Sequence, residues 1–284
     1  MSLIPFDALA CPLDGNRLSR DGNSWRCEAG HSFDVARQGY VHLLPVQKKR
    51  SRDPGDSKEM VAARQRFLNA DCYKPISDAV NQAVLAGLPK AESEPAVFRV
   101  LDAGSGEGYY TVKLAEVLSE RLSVSVLGLD ISKWAVLAAA KQAKGLSWVV
   151  GSNANLPVLS GSVDCLLCLF GFPVYDQFHR VLRPGGRVLQ VDAGPDHLRE
   201  LREIIYPELK PERPSDTTAP EGFELLGSES VRFSLSLDEP ERIHDLLAMT
   251  PHFYRASAEG RHKAAQLTEL SVTVDVLIRQ FEKQ

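Results

Sequence analysis

Cysteine is sparse in this sequence. Cys11, Cys27, Cys72, Cys165 and Cys168 are an odd set scattered over 284 positions, which excludes a disulfide framework. Long apolar runs are missing as well. None approaches the ~20 residues of a membrane span, so no membrane partner is expected. The opening from Met1 to Gly15 has no basic stretch leading into a long apolar one, which predicts no secretory leader. Nor is there an overall excess of positive charge: the net charge is −4. No global field draws nucleic acid to such a chain, so any basic surface must be local. What remains is a cytoplasmic protein of enzyme size. Its 44% hydrophobic content suffices for one large core and a small appendage.

Three regions follow one another. Residues 1–45 are turn-rich and carry two cysteines. Residues 46–95 are a basic loop and helical connector. The run Gln47-Lys48-Lys49-Arg50-Ser51-Arg52 leads into Asp53-Pro54-Gly55-Asp56. Asp56 with Glu59 predicts a capping box, and the helix it starts runs through Arg64, Phe67 and Leu68. A second helix near Pro75 places Ile76, Val80, Val84 and Leu88 on one face, and residues 89–95 form a polar linker. Residues 96–284 alternate apolar strands with helices, the pattern of a parallel sheet with right-handed crossovers. The alternating Val231–Leu237 and Val272–Ile278 segments predict an antiparallel edge pair on that sheet.

The sharpest local signal is Val100-Leu101-Asp102-Ala103-Gly104-Ser105-Gly106-Glu107-Gly108-Tyr109. An apolar strand ends in a glycine turn that opens a helix, so backbone can approach a ligand and free N–H groups face it. A dinucleotide fingerprint would space the third glycine one residue later. Asp102, beside the turn, would repel a pyrophosphate but suits an ammonium. Asp130 ends the next strand, where an acid accepts ribose hydroxyls, and Ile131 follows it. The loop of Asn153, Ala154 and Leu156 sits where adenine contacts are expected. Leu182-Arg183-Pro184-Gly185-Gly186 predicts a tight turn into a strand. In this order these parts resemble the class I S-adenosylmethionine methyltransferases, over roughly residues 96–284. The resemblance implies an α/β, Rossmann-like fold with a seven-stranded sheet whose last strand is reversed. It also implies S-adenosyl-L-methionine as cofactor.

Near the start, Cys11, Cys27 and His31 supply three ligands of a zinc-ribbon-like pattern. The fourth place is Asp14, where the pattern has cysteine, so the zinc (Zn2+) is expected to be held weakly. Cys165 and Cys168 lie three apart on one strand, point to opposite faces and are expected to be core residues.

Cys11-Pro12-Leu13, Gly39–Gln47, Lys49–Ser57, Gly106–Tyr110 and Met249-Thr250-Pro251 stand together in one order. The whole chain thereby closely resembles the bacterial 23S ribosomal RNA guanine-N1 methyltransferases, the RlmA/RrmA family. The resemblance implies methylation of N1 of a guanine in a domain II stem-loop of 23S rRNA. It implies a small zinc module that helps grip RNA, and a homodimer. It places Tyr73, Gly106, Glu107 and His197 against the cofactor, with Tyr73 brought in by the helical segment.

The residues agree on RNA. Positions 37–66 hold eight Lys or Arg against three Asp or Glu, the local excess that phosphates require. Lys48, Lys49, Arg50 and Arg52 are the candidate RNA-binding residues, and Tyr40, Phe67 and Tyr73 the candidate stacking partners. Asp192, at the end of the fifth strand, is the candidate base for the guanine N1 proton. The place after the fourth strand reads Phe170-Gly171-Phe172-Pro173, without the Asn/Asp-Pro-Pro-aromatic motif of exocyclic-amine enzymes. Two rival readings stay open: methylation of a small molecule, and a non-enzymatic RNA-binding adaptor with a relic cofactor site.

Overall fold

The computed structural model describes residues 2–48, 51–89, 97–209 and 218–284. Near the N-terminus, β1 (Ser19–Asp21), β2 (Ser24–Arg26) and β3 (Ser32–Asp34) form a small antiparallel sheet. β4 (Tyr40–His42), α1 (Lys58–Asn69) and α2 (Lys74–Ala86) follow. The rest alternates: β5 (Phe98–Ala103), α3 (Tyr109–Ser119), β6 (Val124–Asp130), α4 (Lys133–Gln142), β7 (Ser147–Val150) and β8 (Val163–Leu169). Then come α5 (Tyr175–Val181), β9 (Leu182–Ala193), α6 (Arg199–Ile205), β10 (Phe223–Leu237), α7 (Pro240–Ala248), α8 (His252–Arg255), α9 (Ala258–Ala265) and β11 (Leu270–Lys283).

The large sheet has the order β10-β11-β9-β8-β5-β6-β7-β4. β5 to β9 run parallel, and β11 inserts antiparallel between β9 and β10. The reversed last strand is therefore interior rather than an edge. β5 to β11 are the seven strands expected from the sequence. The eighth, β4, comes from the N-terminal region and pairs in parallel with β7 through Tyr40↔Trp148, Val41↔Val149 and His42↔Val150. Its alternation explains the placement. Tyr40 and Leu44 are buried beside Trp148 and Val136, while Val41 and Leu43 join the core on the opposite face. The β7 edge, which would otherwise offer unpaired backbone groups, is thereby covered.

Residues 2–45 are bound into the large sheet. Phe6, Leu9, Leu18 and Cys27 share one core with Leu127, Leu129 and Leu166. Ile4 N donates to Val124 O at 2.8 Å, and Ala10 N to Pro157 O at 2.9 Å. Trp25 and Phe33 pack half-buried against this same core, and Leu43 lies within it.

Ser57, one residue beyond the expected cap, starts α1: its Oγ accepts from Met60 N at 3.3 Å. Arg66 on α1 grips Asp245 of α7 through two bonds of 2.9 and 2.5 Å. In α2, Pro75 occupies the first turn, where its missing N–H costs nothing. Ile76 and Val80 of α2 are 0% exposed, and such burial contributes roughly 1.5–3 kcal/mol per side chain. The Pro184-Gly185-Gly186 turn is absorbed into β9, where the register with β8 shifts between Val163 and Cys165. Cys165 and Cys168 lie in cores on opposite faces of the sheet.

Candidate cofactor cleft and metal centre

Three parallel strands, β5, β6 and β8, deliver the cleft at their carboxyl ends. The turn Gly104–Gly108 leaves β5 and opens α3. Gly108 has φ +91°, and a Cβ there would stand 2.6 Å from the Trp148 ring, so both the backbone and the space require glycine. A Cβ at Gly104 would meet nothing within 4 Å. Room is left directly over the turn.

Acids ring that room. Asp102 is 1% exposed, and burial pushes its carboxyl up to about 7 despite a 2.5 Å bond from Thr111 Oγ1. Glu107 is 2% exposed, and burial raises it to about 6, with Arg64 pulling the other way. Asp130 accepts Gly106 N–H at 2.9 Å on one oxygen and Ser132 N–H at 2.7 Å on the other; burial raises it too. Asp102 Oδ1, Glu107 Oε1, the Tyr110 hydroxyl and Asn153 Oδ1 are buried without a hydrogen-bond partner among the described residues. Buried polar atoms left this way cost about 1–3 kcal/mol each and mark a place where a polar ligand belongs.

The other sequence candidates gather at the same end. Asn153 Nδ2 donates to Ala103 O at 3.2 Å and to Phe172 O at 3.4 Å. Ile131 is 36% exposed beside Asp130, and Ala154 is exposed. Leu156 differs from expectation. It is 3% exposed and packed into the core below the loop, so its side chain offers no surface to a ligand. Tyr73 reaches in from the start of α2, and its hydroxyl lies 3.4 Å from His197 Nε2. His197 Nδ1 accepts from Asp275 N, so the neutral ring carries its proton on Nε2, toward Tyr73. Burial lowers His197 to about 4, so it is neutral at physiological pH. Asp192 Oδ2 accepts from Arg279 at 2.6 Å and from Gln190 at 2.7 Å. It lies one residue beyond Val191, whose carbonyl takes the Phe170 N–H.

The sequence reading missed four residues here. Asp56 is not a helix cap. Its carboxylate pairs with Arg64, and its carbonyl accepts Ser132 Oγ at 2.7 Å. Arg64 sits over Gly106. Phe170, with φ +56°, and Phe172 are 41% and 87% exposed. By contrast, the proposed stacking residues Tyr40, Phe67 and Tyr73 are all 8% exposed or less and cannot take a base on their faces. Lys48 and Arg52 are exposed; Lys49 and Arg50 lie outside the described residues.

At the N-terminal module, Cys11, Asp14, Cys27 and His31 converge with their ligand atoms within 4.8 Å of one another. Asp14 Oδ2 lies 3.0 Å from His31 Nδ1 and 3.3 Å from Cys27 Sγ. His31 Nδ1 is 3.5 and 3.3 Å from the two sulfurs. Burial pushes the Cys11 thiol up to about 11, while the Asn16 N–H holds the Asp14 carboxyl at about 2.

Comparison with known proteins gives the rest. Residues 9–52 match the zinc-ribbon family described as RlmA, N-terminal, and residues 100–186 match a family described as Methyltransferase domain. A Bacillus subtilis (strain 168) protein carrying the name of a 23S rRNA (guanine-N(1)-)-methyltransferase is 32% identical over 281 residues, 96% of each chain. A Streptomyces fradiae 23S rRNA (guanine(748)-N(1))-methyltransferase is 34% identical over 252 residues, 86% of this chain and 84% of the relative. The chain belongs to the 23S rRNA (guanine-N(1))-methyltransferase family.

Enzymes of this family depend on S-adenosylmethionine, and the cleft fits it. The open space over Gly104 would take the methionyl portion. The unpaired Asp102 and Glu107 oxygens suit its ammonium, and Asp130 with Ile131 suits the ribose and adenine. The metal centre fits zinc. Ligands ~2.0–2.3 Å from a tetrahedral zinc ion stand about 3.3–3.8 Å apart, close to the spacings found, so Asp14 takes the second-cysteine place geometrically. No helix among the described residues is long and apolar enough to cross a membrane.

Proposed function

We propose that this protein methylates N1 of a guanine in 23S rRNA, in a domain II stem-loop, acting in the cytoplasm as a homodimer. The observation that carries the reading is near full-length similarity to guanine-N1 methyltransferases, joined to a cleft whose unpaired acids suit a cationic adenosyl ligand. S-adenosylmethionine supplies an electrophilic methyl group on a sulfonium when bound. The protein's tasks are to position the base and take up its proton. Phe170 and Phe172 present exposed rings at the cleft mouth, and a guanine splayed from its stem stacks there. Asp192 is the group that takes up the N1 proton. Arg279 and Gln190 hold its carboxylate in place. Tyr73 and His197, buried and neutral, line the cleft beside Phe170. Lys48, Lys49, Arg50 and Arg52 hold RNA phosphates.

Primer extension on 23S RNA from cells with and without the gene tests this directly, because N1 methylation blocks Watson–Crick pairing. A stop at one guanine that vanishes with the gene is the expected result, and identical traces would refute the reading. Replacing the four basic residues together should flatten the salt dependence of RNA binding by roughly 0.7–0.9 in slope per lost contact. Sedimentation of the protein alone reads the dimer.

A further inference from the structure

The Asp53–Asp56 turn and the Met249–Pro251 segment were singled out in the sequence, but neither for a ligand. In the structure both end on one side chain. Arg64 donates through Nη1 to Asp56 and through Nη2 to Met249 O at 2.8 Å, across 185 residues of chain. These bonds use two of the five N–H groups of a guanidinium. The side chain is 24% exposed and faces the cofactor turn. A Cβ at Gly106 would have only Arg64 atoms within 4 Å, Nη1 at 3.7 Å and Cδ at 4.0 Å. A ligand resting on Gly104–Gly106 therefore rests beside this guanidinium.

Charge gives the guanidinium a task. Asp56, Glu107 and Asp130 all act on Arg64, and Asp102 adds a fourth carboxylate that acts with Glu107 and Asp130. Such a set attracts the sulfonium and ammonium of S-adenosylmethionine but repels its carboxylate. A cation must offset that repulsion, and Arg64 is the cation that acts on both Glu107 and Asp130. A planar guanidinium is also the side chain best shaped for a carboxylate. We propose that Arg64 binds the carboxylate of the cofactor's methionine, while its bonds to Asp56 and Met249 hold it in place. This rests on the assignment of S-adenosylmethionine as cofactor.

Calorimetry of the full chain with S-adenosylmethionine and with its decarboxylated analogue tests the proposal without catalysis. Wild-type protein should bind the analogue about tenfold more weakly, the worth of one charge-assisted contact. In Arg64→Gln that preference should vanish or reverse, because the four acids then favour the ligand without a carboxylate. Arg64→Lys keeps the charge but not the fork, and should keep part of the preference. It also stands in if circular dichroism shows that Arg64→Gln does not fold. Equal affinities in the wild type overturn the proposal with no variant needed. So does a full tenfold preference surviving in Arg64→Gln, or an equal loss of both ligands in that variant, which would make Arg64 purely structural. Failure of the wild type to bind either ligand would instead overturn the cofactor assignment itself.

Discussion

The metal centre and the cofactor cleft are both built from acids and their partners, yet they are finished differently. At the metal centre the donors satisfy one another: Asp14 Oδ2 alone touches Cys27 and His31. In the cleft, Asp102, Glu107, Tyr110 and Asn153 each keep a buried polar atom without a partner among the described residues. A site that closes on itself tolerates the loss of its ion, whereas a site with unmet hydrogen bonds is complete only with its ligand.

The largest effect expected from that contrast is at Asp130. Asp130→Ala removes the acid placed for the ribose and the acceptor that braces Gly106 and Ser132. S-adenosylmethionine affinity should fall about ten- to a hundredfold, or 1.5–3 kcal/mol, with zinc content unchanged. Wild-type affinity by calorimetry would break the comparison at its centre.

A smaller effect comes from pH. Asp102 titrates at about 7 and Glu107 at about 6 in the folded cleft. Both are ionised at pH 8 and lose charge below 7, so cofactor affinity should weaken by roughly tenfold between pH 8 and 6. Folding responds with the opposite sign. The folded values exceed the unfolded ones of 3.8 and 4.5, so the ligand-free protein binds protons more tightly than the unfolded chain. These two groups therefore add stability as pH falls through 7. His197, lowered to about 4 from 6.5, removes stability below about 6.5, so melting curves between pH 8 and 6.5 separate the two. Affinity that rises on acidification would contradict the role given to these acids.

The smallest effect is expected at the self-satisfied site. Asp14→Cys should leave the melting temperature within about 3 °C, a shift worth roughly 1 kcal/mol in a chain of this size. It should make zinc harder for a chelator to strip, because a thiolate is the softer ligand. Equal chelator resistance in both proteins would show that the carboxylate is already a full ligand.

Legibility from sequence followed the range of the contacts. The Val100–Tyr109 turn, Asp130 and the Cys11, Asp14, Cys27 and His31 cluster are local patterns, and the structure forms the turn, ends β6 at Asp130 and brings the four side chains together. The parallel sheet and the antiparallel β10–β11 pair were legible from alternation, and the reversed last strand from the family resemblance. Arg64 was not, because Met249 lies 185 residues away. The cap was misread by one residue because Asp56 and Ser57 are both good caps, and Arg64 claims the Asp56 carboxylate. Tyr40, Phe67 and Tyr73 were read as stacking faces when their apolar rings go to the core. Phe170 and Phe172 were noted only for the motif they replace, and their exposure depends on how the β8–α5 loop leaves the sheet.

The eighth strand bears on how the chain is made. Tyr40 leaves the ribosome about a hundred residues before its partner Trp148, and Phe6 and Leu9 precede their core neighbours Leu127 and Leu166 by more. At cellular elongation rates of 5–20 residues per second, these apolar side chains wait on the order of 5–20 s without a place to pack. The four metal ligands, by contrast, are all in hand by residue 31. An ion taken up at that stage would pin the hairpin while the sheet that will cover it is still being synthesised.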